Sequence, residues 1–276
     1  MERGPLSTGT GPSADPGAGA SVGPSAGSNI GPSAGTTTGQ PAVPVAGALA
    51  ELAEQVSGCR ACPRLVAWRE EVARTRRASY ATQEYWGRPV PGFGDPEAEL
   101  LVLGLAPAAH GANRTGRVFT GDRSGDFLFA AMHRVGLANQ AHSESVDDGL
   151  RLHRTWVSAS VRCAPPANRP TPQERDTCAP WLDREIDLLA PLLRSVVVLG
   201  GFGWGVGMTA LARAGWVVPA PKPVFGHGAE VVLQPRGPSR RPLRVLGSYH
   251  VSQQNTFTGR LTPAMLDDVL RRAVED

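Results

Sequence analysis

The sequence predicts an α/β domain built on a mostly parallel sheet covered by helices on both faces. Three observations carry that expectation: short apolar runs rich in β-branched residues, helical patterns between most of them, and small or polar residues directly after them. The strand candidates are residues 99–103, 155–162, 195–199, 230–234 and 243–248. Helical periodicity covers residues 46–57, 63–77, 124–135, 172–189, 204–214 and 262–274. Taken in order, the first two helices flank Cys59 and Cys62, and Pro63 stands at a favoured first helical position. The run at 99–103 is apolar throughout, as a strand buried on both faces requires, and the loop at 104–122 follows it. Asp122 and Ser124 are placed to cap the next helix. The strands at 155–162 and 243–248 are followed by polar loops of their own, at 162–171 and 249–260. Open α/β sheets place their sites in such loops, at the carboxyl ends of strands.

Of the 276 residues, the first 46 are almost wholly Gly, Pro, Ser, Ala and Thr, with GPSA recurring at Gly11, Gly23 and Gly31. That composition buries too little apolar surface to offset chain entropy, so residues 1–46 are expected to be a disordered tail and residues 47–276 one domain. The start lacks the basic and apolar regions of a secretory signal, and no window approaches a bilayer-spanning run. A soluble, cytoplasmic protein is expected. There are 28 basic residues against 25 acidic ones, and a single lysine, Lys222, among the bases. The arginine fork grips phosphate in bidentate fashion, which makes Arg114, Arg117, Arg123, Arg162, Arg169 and Arg260 candidates for a phosphate-binding face.

The four cysteines form a pair, Cys59 and Cys62, and a second pair, Cys163 and Cys178, with 14 residues between its members. In an intracellular chain such a set binds zinc or an iron–sulfur cluster more often than it forms disulfides. The long second spacing departs from the short knuckles of zinc ribbons and leans toward the cluster.

Three loops carry the candidate chemistry. In the first, small residues at Gly104, Ala106 and Ala108 permit close approach to the backbone, and Asp122 supplies a carboxylate. In the second, Asn168 stands between prolines and offers an amide suited to a base edge. In the third, His250 is a potential donor to a developing anion, and Ser252 and Asn255 offer contacts to a nucleic-acid backbone. A non-catalytic nucleic-acid module with a structural four-cysteine zinc uses the same Arg and Asn residues but leaves Asp122 and His250 without a task. A phosphohydrolase is a weaker alternative, because GxxxxGK[ST] and a magnesium-binding acidic cluster are missing.

Five collinear segments, CRACPRLVAWREE at Cys59, RPVPGFGDP at Arg88, GLAPAAHGANRTGRVFTGD at Gly104, VRCAPPANRPTP at Val161 and SYHVSQQNTFTGRLT at Ser248, resemble the family 5 (type b) uracil-DNA glycosylases. The resemblance implies a monomeric three-layer α/β/α domain with a [4Fe–4S] cluster on Cys59, Cys62, Cys163 and Cys178. It further implies a monofunctional enzyme that flips uracil, and other deaminated bases such as hypoxanthine, out of DNA and leaves an abasic site. On that reading Asp122 directs water to the sugar. His250 and the backbone along Ala106, Pro107, Ala108 and His110 stabilise the leaving base, Phe119 stacks on it, and Asn168 reads its edge. Several relatives carry an acidic or amide residue where this chain has Leu105 and Ala106, which leaves the carboxylate role to Asp122.

Overall fold

The computed structural model of the protein describes residues 44–238 and 240–275. The expected tail therefore lies outside the described residues except at its end, where Pro44 leads into α1 (Val45–Ser57) and the domain begins slightly earlier than expected. There follow α2 (Pro63–Thr75), β1 (Phe93–Gly94), β2 (Leu100–Gly104), α3 (Ala112–Thr115), α4 (Arg123–Arg134) and β3 (Thr155–Ala159). The second half adds α5 (Pro172–Leu189), β4 (Ser195–Leu199), α6 (Gly201–Arg213), β5 (Trp216–Val217), β6 (Glu230–Pro235), β7 (Leu243–Ser248), α7 (Gln253–Phe257) and α8 (Pro263–Val274).

The strands form a sheet in the order β1-β3-β2-β4-β7-β6-β5. The four central strands β3, β2, β4 and β7 are parallel, and the apolar runs that dominate β2 and β4 follow from burial on both faces. Pleating sends Leu100 and Val102 of β2 to one face, where they meet Phe129 and Met132 of α4 and Leu266 and Leu270 of α8. Leu101 and Leu103 go to the other face, against Leu182 and Ile186 of α5 and Trp204 and Leu211 of α6. The result is the expected three-layer α/β/α arrangement. β6 runs antiparallel to β7, because the short link between them leaves no room for a crossover.

The strand expected over residues 155–162 stops at Ala159. Arg162 is the reason. Its guanidinium is 2% exposed and pairs with Glu185 of α5 (Nη2 to Oε2, 2.6 Å), and its Nη1 donates to Ser158 Oγ at 2.7 Å. Ser158 also hydrogen-bonds Glu185. The Arg162 backbone N–H donates to Cys178 Sγ at 3.3 Å, and its carbonyl accepts from Val90 N at 2.7 Å. A Cβ at Gly92 would collide with the Glu185 carboxylate, so the segment before β1 is packed onto the same ion pair.

A second buried arginine braces the segment that follows β2. Arg117 donates to Asp148 Oδ2 at 2.6 Å, Ser143 Oγ at 2.8 Å and Thr120 Oγ1 at 3.0 Å, and Gly121 N donates to Ser143 O at 2.8 Å. Arg117 and Arg162 are thus corrected from phosphate-binding candidates to internal struts. A guanidinium buried against a carboxylate is held inward by its charge.

Two outcomes follow from these struts. Glu185→Gln leaves the Arg162 charge buried without its partner and should cost about 3–5 kcal/mol in chemical denaturation, whereas Asp183→Asn, which breaks an exposed pair with Arg213, should cost about 0–1 kcal/mol. Burial opposes ionisation of Asp148, but Arg117 and the backbone N–H groups of Leu150 and Glu144 outweigh it and lower its pKa from 3.8 to about 2. A depressed carboxylate contributes stability that is full above its unfolded pKa and lost as the pH falls toward the folded value. Asp148→Asn should therefore flatten the acid limb of the stability profile between about pH 4 and 2, as read by denaturation across that window.

Candidate active site

The chain leaves β2 through α4 on one face of the sheet and leaves the adjacent β4 through α6 on the other, which opens a crevice between the carboxyl ends of β2 and β4. Three strand ends meet there. The Phe119 ring packs over Gly104 at the end of β2, where a Cβ would strike it. Gly200, at the end of β4 with φ +94°, lies against the His250 side chain that follows β7, and its N–H donates to Ser248 O at 2.8 Å. The Phe119 and His250 ring centroids are 6.2 Å apart, tilted by 42°. The first and last candidate loops thus converge as expected.

Within the first loop, Ala108 O accepts from the N–H groups of Gly111 and Asn113 and starts the single turn of α3. Phe119, at φ +53°, then bends the chain back. Arg114 staples the two arms, donating to His110 O at 2.9 Å, Gly121 O at 2.7 Å and Gln83 Oε1 at 2.6 Å, with its guanidinium 4.0 Å from the Tyr80 ring centroid. Three of its donors are committed within the protein, and the side chain remains half-buried at the edge of a cleft. Arg123, Arg169 and Arg260 remain exposed.

Asp122 is the N-cap of α4, and Oδ1 accepts from Ser124 N at 2.9 Å and Gly125 N at 3.0 Å. Oδ2 takes part in neither bond and occupies the space that a side chain at residue 111 would fill, so Gly111 is required by the carboxylate. Asp122 lines a polar cleft of about 550 Å³ together with Tyr80, Gln83, Arg114, Asp126 and Ser143. Burial raises its pKa above the usual carboxylate value, against the pull of the two backbone hydrogen bonds. Burial lowers the pKa of His250, so its imidazole is neutral at neutral pH and retains one N–H donor. His110 is lowered as well, by burial first and then by Arg77 and Arg114; its Nδ1 lies 3.1 Å from the Tyr85 hydroxyl.

The other candidates divide. Pro107 is buried, while Ala106 and Ala108 are half-buried in the same loop. Ser252 is the N-cap of α7, with its carbonyl accepting from Asn255 N and Thr256 N. Asn255 Nδ2 donates to His250 O at 2.8 Å, so the amide holds the histidine's own backbone. Asn168 stands exposed in a 3₁₀ turn over Pro166–Asn168 with φ +55°. Sequence reasoning missed Gly111, Gly200, Tyr85 and the Arg117 strut. Positive φ at Gly200 and close approach at Gly111 leave no mark in a glycine-rich chain that distinguishes these glycines from the rest.

The four cysteines line one small cavity with Leu65, Arg69, Arg162 and Trp181. Cys62 is the N-cap of α2, Cys163 follows β3 and Cys178 lies on α5. Arg69 Nη1 donates to Cys163 Sγ at 2.9 Å. The Nε atoms of Arg69 and Arg162 are buried without a partner. Burial pushes the thiols of Cys62 and Cys163 up, and that of Cys178 to about 12. Among the described residues, no three His, Cys, Asp or Glu side chains are grouped as a site for a metal ion. No described helix is long and apolar enough to cross a membrane.

A profile of the Uracil DNA glycosylase superfamily matches residues 91–273. The type-5 uracil-DNA glycosylase of Mycobacterium bovis is 57% identical over 228 residues, covering 83% of this chain and 81% of that protein. That of Mycobacterium leprae is 54% identical, covering 83% and 95%, and that of Thermus thermophilus is 50% identical, covering 80% and 94%. The matched region contains the crevice, the Asp122 loop and the His250 loop, and with these proportions the chain belongs to the type-5 uracil-DNA glycosylases of the uracil DNA glycosylase superfamily.

Proposed function

We propose that the protein excises uracil from DNA and leaves an abasic site, with Asp122 and His250 as the groups that act on the reacting atoms. The observation that carries this reading is the meeting of Phe119, three residues before the desolvated Asp122, with the neutral His250 at the switch point of a chain 50–57% identical to named uracil-DNA glycosylases. The nucleotide is extruded first, because its glycosidic carbon is inaccessible in the stack. The C1′–N1 bond then breaks with its electron pair leaving on the base, and the base oxygen that gains charge accepts a hydrogen bond from the neutral His250 imidazole. A neutral donor suits this role, since it stabilises the anion without surrendering a proton to it. Asp122 offsets the positive charge on the sugar, orients water toward C1′ and accepts the proton released as the new C–O bond forms. Phe119 supplies a ring on which the base stacks. On this reading the exposed Arg123, Arg169 and Arg260 meet phosphates, and Asn168 and Ser252 complete the DNA-facing set.

Other deaminated bases, hypoxanthine among them, are proposed as further substrates, and the chain is read as a monomer acting in the cytoplasm. A [4Fe–4S] cluster on Cys59, Cys62, Cys163 and Cys178 is proposed as a structural brace. The donor set fits it: the four cysteines line one cavity together with Arg69 and Arg162, whose buried Nε–H groups have no partner. When bound, the cluster supplies cross-links between α2, the β3 loop and α5. It takes no part in bond cleavage.

The test is single-turnover release of uracil from a duplex with a U·G pair, read by alkaline cleavage. The wild-type chain should release uracil, and Asp122→Ala and Asp122→Asn should each lose about 10²–10⁴-fold in rate. Only Asp122→Ala should lose stability, by about 0.5–2 kcal/mol, because asparagine caps α4 as well as aspartate does. Because burial raises the Asp122 pKa, the wild-type rate should fall on acidification at a pH above 3.8, as the carboxylate takes up its proton. Wild-type rates in Asp122→Asn would remove Asp122 from the chemistry, and no release by the wild type would overturn the reading as a whole.

A further inference from the structure

We propose that Arg69 is a positioning residue for the cysteine site: its buried guanidinium supplies the counter-charge to the cysteine sulfurs and ties Cys163 to the Cys59 loop and to the substrate loop. The proposal rests on the reading of the four cysteines as ligands of one metal group, and it concerns this chain's own side chains.

Arg69 lies on α2 and is 2% exposed. Nη1 donates to Cys163 Sγ at 2.9 Å and Nη2 donates to Cys59 O at 3.2 Å. The nearest carboxylate oxygen is on Glu70, 3.9 Å away, and Glu70 is engaged by Arg60. Nε is buried without a partner. This differs from Arg162, whose charge is matched by the buried Glu185. A guanidinium out of water needs a compensating negative charge, and around Arg69 neutral thiols do not provide one. Thiolates ligating a metal group do, and its fork joins one sulfur to the carbonyl of a second cysteine in a way that a lysine ammonium does not reproduce.

The same residue reaches the reaction site through its backbone. Asn113, fully buried in α3, donates from Nδ2 to Arg69 O at 3.2 Å and to Ala109 O at 3.4 Å. Asn113 belongs to the loop in which Gly111 makes room for Asp122. Arg69 therefore stands between the cysteine cavity and the carboxylate loop, touching both.

The experiment compares the intact wild-type protein, prepared without air, with Arg69→Met and Arg69→Lys. Metal and sulfide content, the rate of metal loss to a chelator, and the reduction potential are measured for each. Arg69→Met should lose metal about 10- to 100-fold faster than the wild type. Its potential should move to a more negative value, since a cation and a sulfur hydrogen bond that favour the reduced state are gone. Arg69→Lys, which keeps the charge but not the fork, should fall between the two, and it decides the matter if the Met variant does not fold. Wild-type rates and potentials in the variant that folds overturn the proposal. A wild-type chain holding zinc in place of iron refutes the cluster reading alone, and zinc release then reports on Arg69 in the same way. A wild-type chain that binds neither metal overturns both.

Discussion

The buried ion pair between Arg162 and Glu185 is the interaction on which the arrangement of the other parts depends. It ends β3, fixes α5 against the sheet through Ser158, and receives the segment leading to β1 through Val90 and Gly92. Its backbone N–H lies on Cys178 and the next residue is Cys163, so the cysteine cavity is built outward from it. A charge pair of this kind adds little net stability compared with well-packed apolar side chains, but neither half can be removed alone. Its value lies in register: only one placement of α5 on β3 satisfies both charges.

The site is assembled by comparable economies of space. A Cβ at Gly104 or Gly111 would collide with Phe119 or Asp122, and one at Gly200 would press against His250. The three side chains proposed to meet the flipped nucleotide are thus seated against backbone, where they have little freedom to move. Asp122 combines two tasks. One oxygen caps α4 and orients the carboxylate, while burial raises the pKa of the group as a whole.

Arginine use follows from the same physics. A guanidinium lining a fold's interior must find acceptors for its donors; Arg114 finds carbonyls in its own loop, and Arg117 and Arg162 find carboxylates brought to them from other segments. Arginines left at the surface are the ones available to phosphate. Arg69 belongs to neither group, being buried with a sulfur as acceptor and only a distant carboxylate.

What the sequence determined by itself is the part governed by local pattern. The apolar runs that become β2, β4 and β7, the periodicity of α1, α4, α5 and α8, and the polar loops after β2 and β7 were all legible, because side-chain alternation and helical spacing are properties of neighbouring residues. Asp122 and His250 were legible for a similar reason, since each stands where a strand or loop ends. Only the tertiary structure decided which arginines face inward, why β3 stops at Ala159, that β6 runs antiparallel, and that Asn255 holds the backbone of His250. Those outcomes depend on partners far along the chain: Arg162 with Glu185, Arg117 with Asp148, Arg69 with Cys163. The sequence of an arginine's neighbours is the same whether a carboxylate waits for it across the fold or not.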